Sequence, residues 1–144
     1  MLWVQLLIIK LKKKINSLLD VIAIAIKRKK YKININGKNF NTKDGTPERD
    51  FIHIKDLSNI HEKTYKYLNQ NKNIILNCGS GLKYSVLEIV KAIERKINKK
   101  FIITYKITNF DETKTICSDI SRLKKSLKMN INEKKINDLI TNYV

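Results

Sequence analysis

Proline occurs once in this chain, glycine four times, cysteine twice and tryptophan once. So few turn formers are sparse for a self-contained α/β domain with several tight turns, and the chain reads as part of something larger. No internal repeat and no flexible linker is visible. Cys78 and Cys117 lie far apart, neither has a neighbour at metal-ligand spacing, and without a secretory signal they read as reduced thiols. No metal ligands are expected. No apolar run reaches the roughly 20 residues that span a bilayer. "MLWVQLLIIKLKKK" is too short, and its charges follow the apolar run, the wrong order for a signal peptide. Asp20 interrupts "LLDVIAIAI". A cytoplasmic protein with no membrane partner is the expectation.

Acidic residues are also scarce: 13 Asp and Glu against 30 Lys and Arg leave a net charge of +17 over 144 residues. Such an excess raises nucleic acid or an anionic surface as a partner. The chain is rich in Lys, Asn and Ile throughout, however, as A/T-rich codon usage produces without functional demand. The basic residues are spread along the chain, with no RNA-recognition signature or finger spacing. Nucleic acid is therefore not the expected partner.

The length suits one domain with a modest core. Asn16 or Ser17 caps a helix expected to run to about Lys30, with Leu18, Leu19, Ile22 and Ile26 at helical spacing. "YKINI" alternates and meets an Asn36-Gly37 turn. After the Asp44-Gly45-Thr46-Pro47 turn, Phe51 to Ile54 reads as a short strand. Asp56 then caps a helix that turns Leu57, Ile60, Thr64, Tyr67 and Leu68 inward. "NIILN", Asn73 to Asn77, has the continuous apolar core of a parallel strand buried on both faces. Ser85 to Glu88 form a capping box for a helix to about Ile97. "FIITYKI" is a further strand, and Asp119 and Asn132 cap two last helices. Alternating helices and strands indicate an α/β or α+β class. A strand such as Asn73 to Asn77 wants neighbours on both sides, and few candidates exist to supply them.

The stretch "DGTPERDFIHIKDLSNIH", Asp44 to His61, carries the most information. A DGT turn precedes Arg49-Asp50-Phe51-Ile52-His53, followed by Asp56-Leu57 and His61. Downstream stand Asn77, Gly79, Ser80 and Gly81, then Ser85-Val86-Leu87-Glu88. In this order and spacing the motifs resemble the C-terminal half of the UDP-glucose 4-epimerases, extended short-chain dehydrogenase/reductases. The resemblance runs from about Asn16 to the C-terminus. It implies an α/β fold, the C-terminal substrate-binding portion of such an enzyme, with an incomplete Rossmann-type sheet over residues 16–144.

The resemblance also implies roles. Arg49 pairs with the diphosphate of a UDP-sugar, which a rigid guanidinium fork suits; the alternative is a structural salt bridge to Asp50 or Asp56. Asn16, Ser17 and Leu18 match the family's Asn-Asn-Leu, which meets the sugar nucleotide at a helix start. Ser17 replaces the second asparagine, and simple helix capping is the alternative for Asn16 and Ser17. Asn36 replaces an aromatic near the uracil, so that apolar wall is lost. Asn109 stands where a second phosphate-binding arginine belongs, and losing one buried phosphate cation costs roughly 2–5 kcal/mol of binding. Glu112 stands where an aspartate holds the ribose hydroxyls. Ile116 falls where the family gates the size of the sugar's C2 substituent, unless it is plain core.

The family's chemistry uses NAD and a tyrosine in Tyr-x-x-x-Lys, whose lysine lowers the tyrosine pKa. Here Tyr31, Tyr65, Tyr67, Tyr84 and Tyr105 have Ile35, Asn69, Asn71, Glu88 and Asn109 four residues on. No Gly-x-x-Gly-x-x-Gly is present, and Gly79-Ser80-Gly81 lacks a third glycine to make it a cofactor loop. The chain alone is therefore expected to have no catalytic residue, to bind no NAD and to be inactive. It is expected to take a UDP-sugar weakly, to partner an epimerase N-terminal half, and to lack the helices through which the family forms homodimers. A UDP-sugar-binding or nucleic-acid-binding module without catalysis is the alternative. Residues 1–15 have no counterpart in the family. Read in another frame, the codons of Trp3 to Gln5 accommodate the Gly-Ala the family has upstream, and Lys12 to Lys14 imply an A-rich run. The expectation is a frameshift there.

Overall fold

The computed structural model describes residues 17–70, 73–107 and 113–131. Helix α1 (Leu18–Lys27) begins at Ser17, whose hydroxyl accepts the Asp20 amide at 3.1 Å. It ends earlier than Lys30, because Lys29 turns left-handed (φ 53°) and the Lys30 amide closes back on the Ala25 carbonyl at 2.9 Å. The chain then enters strand β1 (Lys32–Asn36), whose alternation sends Ile33 and Ile35 into the core and leaves Lys32, Asn34 and Asn36 exposed. Strand β4 (Ile102–Lys106) lies parallel to it, Lys32 opposite Ile102 and Asn36 opposite Lys106.

A second sheet takes two strands from the chain between these and one from after β4. Strand β2 (Glu48–Asp50) is its centre, antiparallel to β3 (Lys83–Ser85) and parallel to β5 (Thr115–Ile116). The strand expected at Phe51 to Ile54 is displaced: the ladder ends at Asp50, and helix α2 (Ile54–Leu68) starts directly after His53. His53, not Asp56, is the cap, its Nδ1 accepting the Lys55 amide at 3.1 Å. Asp56 falls in the first turn, where its charge opposes the helix dipole favourably. Ile60 is buried on α2, whereas Leu68 is 42% exposed and does not face inward.

Helix α3 (Val86–Ile97) has the expected capping box, Ser85 Oγ taking the Glu88 amide at 2.9 Å and Glu88 taking the Ser85 amide at 2.8 Å. Its apolar face completes the main core, formed by Ile22, Ala25, Ile33, Ile35, Ile89, Val90, Ala92, Ile93 and Phe101. Glu94, 3% exposed, ties the helix to β4 by accepting the Phe101 amide at 2.7 Å and the Lys91 ammonium at 2.9 Å. Burial alone would raise its pKa; these bonds outweigh burial and hold it below the ordinary value.

Helix α4 (Ser121–Leu127) packs with α2 around Ile60, Ile120, Leu123, Leu127 and Ile131. Its cap position is Ile120; Asp119, read as the cap, sits one residue earlier and accepts the Ser121 amide at 2.9 Å. Asn132 lies outside the described residues. Asn73–Asn77 is neither helix nor strand and joins no ladder among the described residues. Ile74 and Leu76 are half-buried, and Ile75 is 82% exposed. The two-sided burial that its apolar run implied is therefore not met by the described residues.

Candidate functional site

The DGT turn is a structural pin. Asp44 accepts the Thr46 amide at 2.9 Å, the Thr46 hydroxyl at 2.6 Å and the Ser85 hydroxyl. Thr46, fully buried, takes the Leu87 amide at 3.2 Å, and Pro47 offers its carbonyl to the Val86 amide at 3.0 Å. Burial pushes the Asp44 pKa up, and the bonds from Ser85 and Thr46 bring it below its ordinary value. The turn thus delivers β2 to a fixed place against the start of α3. Gly45 serves the same turn: its φ is +79°, and a Cβ there would drive into the Lys38 carbonyl.

Adjacent residues of β2 point to opposite faces of the sheet. Asp50 gathers two loops on one face. Its carboxylate accepts the Ser80 amide at 2.8 Å, the Ser80 hydroxyl at 2.5 Å, the Gly81 amide at 3.1 Å and the Ser118 amide at 3.2 Å. Gly79 lets the loops close, since a Cβ there would overlap Asp50 Oδ2 and Ser118 Oγ. Burial would raise the Asp50 pKa, but the bonds from Ser80, Ser118 and Gly81 set it below the ordinary value. On the same face Glu48 joins Lys83 at 2.8 Å and Thr115 at 2.9 Å.

Arg49 occupies the other face. Its Nη1 donates to the Glu48 carbonyl at 2.8 Å and the Lys114 carbonyl at 3.3 Å, and among the described residues no carboxylate pairs with it. The expected alternative, a salt bridge to Asp50 or Asp56, does not form. Arg49 lines a cavity of about 500 Å³ with Ser17, Leu18, Asn36, Asn34 and Phe51. Ser17, Leu18, Asn36 and Arg49, named from three separate parts of the sequence, thus share one cavity. Ile116 is the β-ladder partner of Arg49 and is 52% exposed, so it is not plain core. Asn16, Asn109 and Glu112 lie outside the described residues.

Six lining residues escaped the sequence reading, Val21, Asn34, Ile35, Pro47, Phe51 and Val86. Asn34 was legible in principle, because it stands two residues before Asn36 on β1 and shares its face. Phe51 was read as a strand residue and has no local signal for a cavity wall. Among the described residues no cluster of His, Cys, Asp and Glu is grouped as a metal site, and no helix is long and apolar enough to cross a membrane.

Known proteins resemble the chain strongly but over part of their length. It is 34% identical over 113 residues to the UDP-glucose 4-epimerase of Bacillus subtilis, covering 78% of this chain and 33% of that one. The human UDP-glucose 4-epimerase is 37% identical over 94 residues, 64% of this chain and 26% of its own. Among solved structures, the UDP-Glc/GlcNAc 4-epimerase of Campylobacter jejuni superposes with a TM-score of 0.79 at 25% identity, over 92% of this chain and 41% of that one. The chain belongs to the UDP-glucose 4-epimerase family. It spans between about a quarter and a third of the length of these curated epimerases, as fits a C-terminal fragment. The epimerase of Bifidobacterium longum, solved with NAD+ and UDP, matches 91% of this chain at TM-score 0.78 and 28% identity. No family model matches.

Two places among the described residues were candidates for the pyrophosphate of a NAD such as the Bifidobacterium longum structure holds. In the Gly79-Ser80-Gly81 loop the Ser80 and Gly81 amides are spent on Asp50. At the start of α3 the Val86, Leu87 and Glu88 amides are spent on Pro47, Thr46 and Ser85. At both places these amides are not offered to a pyrophosphate.

Proposed function

We propose that residues 16–144 are the sugar-nucleotide-binding portion of a UDP-glucose 4-epimerase, and that this portion alone does not interconvert UDP-glucose and UDP-galactose. The observation that carries the reading is the shared cavity of Ser17, Leu18, Asn36 and Arg49. A guanidinium with its Nη1 fixed on backbone carbonyls still offers Nε and Nη2 to phosphate oxygens, as a preoriented fork. The start of α1 borders the same cavity, and its partial positive charge adds to that of Arg49. Asn36 and Asn34 make the far wall polar, which suits a hydrogen-bonded base more than a stacked one. Ile116, beside Arg49 on β5, disfavours a bulky C2 substituent.

Inactivity follows from what the sequence does not contain: no Tyr-x-x-x-Lys supplies a base of lowered pKa, and no glycine fingerprint supplies a NAD cradle. Catalysis then requires the epimerase N-terminal half as a partner. The place of such an assembly is the cytoplasm, in galactose metabolism. The test is a calorimetric titration with UDP and UDP-glucose at low and moderate salt. Saturable binding lost on Arg49→Ala supports the reading. Equal binding by the variant, or heat that vanishes with salt as non-specific phosphate-backbone binding does, overturns it.

A further inference from the structure

Residues 27–30 read Lys-Arg-Lys-Lys, and residues 96–100 read Lys-Ile-Asn-Lys-Lys. Along the chain they stand about seventy positions apart and look like scattered lysines. The fold brings them together. Helix α1 turns into β1 through the first stretch, and α3 turns into β4 through the second. Because β1 and β4 are parallel, with Lys32 opposite Ile102, both turns lie at the same end of the sheet. The Ile102 amide donates to the Tyr31 carbonyl at 2.8 Å, and the Tyr31 and Phe101 rings meet edge to face, 5.8 Å between centroids. The turns are also built alike. Lys29 and Asn98 are left-handed, and the Lys30 and Lys99 amides close on the Ala25 and Glu94 carbonyls at 2.9 and 3.2 Å, the closure of a Schellman turn.

All seven cations of the two stretches are exposed, and neither stretch holds a carboxylate. Asp20 and Glu88 lie in the first turns of the two helices, at the far end. Glu94 is buried and already accepts Lys91, and only Lys100 comes within 4.0 Å of it from these stretches. Each helix C-terminus carries roughly half a negative charge, too little to compensate seven cations.

We propose that this end of the β1–β4 sheet binds the phosphate backbone of a nucleic acid duplex, without reading its bases. Two adjacent rows of cations suit the regular charge of a duplex. A single strand is held on open aromatic rings, but Tyr31 sets its ring against Phe101, which is buried. A membrane surface takes exposed apolar side chains beside the cations, and the one apolar residue of the two stretches, Ile97, packs against the main core. The patch lies at the opposite end of α1 from Ser17 and the cavity, so a duplex and UDP occupy separate places.

The experiment follows the fluorescence anisotropy of a short, labelled DNA duplex of mixed sequence with the full chain, between about 50 and 200 mM salt. The logarithm of the association constant should fall against that of salt with a slope of about −4 or steeper, as release of counterions from several phosphates requires. Lys29→Gln, Lys30→Gln, Lys96→Gln and Lys99→Gln together should flatten the slope by about 3 and cost at least about tenfold in affinity. Each pair alone, one turn at a time, should give about half that flattening, and the pairs carry the test where the fourfold variant fails to fold. Replacing Lys55, Lys63, Lys124 and Lys125, on α2 and α4, by glutamine should change affinity by less than about threefold, since salt screens charges outside the contact. No duplex binding, an equal loss in the α2 and α4 variant, or binding to phosphatidylserine vesicles in place of the duplex overturns the proposal. A UDP titration separates it from the cavity reading. If UDP binding does not depend on Arg49 while the duplex binds through the two turns, the cavity reading fails and the patch stands. If UDP binds through Arg49 and the duplex does not bind, only the patch fails.

Discussion

Asp50 holds Ser80 by two bonds, amide to carboxylate at 2.8 Å and hydroxyl to carboxylate at 2.5 Å, across thirty residues of chain. Gly81 and Ser118 complete the set on the same carboxylate. The neighbouring residue, Arg49, lines the cavity. The loop knot and the cavity therefore share one three-residue strand, and disturbing one displaces the other.

Asp50→Asn should destabilise the fold by about 2 kcal/mol, because hydrogen bonds to a charged group are lost and an amide is turned toward donors. Urea denaturation of the two proteins measures the difference. A change in UDP affinity should accompany it, although Asp50 faces away from the cavity.

Acid should act through the same group. The Asp50 pKa is lowered from 3.8, and those of Asp44 and Glu94 are lowered too. A carboxyl lowered on folding stabilises the fold at pH above its ordinary value. That contribution disappears as pH falls below about 4 and through the folded value. The midpoint of thermal unfolding should therefore drop more steeply for the unmodified chain than for Asp50→Asn below about pH 4. Parallel curves count against a charged Asp50 as the anchor.

Gly79→Ala should cost about 1–3 kcal/mol, the range for forcing a methylene into filled space. The new methyl meets Asp50 Oδ2 and Ser118 Oγ, and neither can retreat without breaking the knot. An unchanged denaturation midpoint would show that the loops have room the structure does not give them.

Arg49→Ala should weaken UDP binding at least tenfold, about 1.4 kcal/mol. Arg49→Lys should recover part of this at most, since an ammonium lacks the planar fork. Full recovery by lysine would mean that charge alone matters at this position.

With NAD supplied, the isolated chain should give no turnover of UDP-galactose above a blank in a coupled assay, and no bound-NAD fluorescence. Turnover that disappears in Arg49→Ala would show that a base exists in this chain outside any Tyr-x-x-x-Lys.

Local signals made much of this legible. The capping box at Ser85, the Ser17 cap and the alternation of β1 and β4 each depend on residues a few positions apart, and each is present. The failures occur where distant partners decide. Phe51 to Ile54 has strand composition, yet β2 pairs earlier because Lys114 and Pro47 set the register, and His53 caps α2 before Asp56 can. Gly79-Ser80-Gly81 looks like a phosphate loop locally, and only Asp50, thirty residues back, reveals its work. Asn73–Asn77 has the composition of a central strand, but composition cannot say whether its neighbours belong to the same described segments. Of the cavity, Ser17, Leu18, Asn36 and Arg49 came from the family resemblance, whereas Phe51 required the fold.

The parallel pairing of β1 with β4 has a consequence for how the chain is made. Lys32 finds Ile102 only after about seventy further residues have been synthesised. At roughly 5–20 residues per second, β1 waits several seconds on the ribosome with Ile33 and Ile35, both nearly sealed in the finished core, open to solvent. Yield in the cell is then a race between translation speed and capture of that strand by other nascent chains. Slower synthesis lengthens the exposure of Ile33 and Ile35.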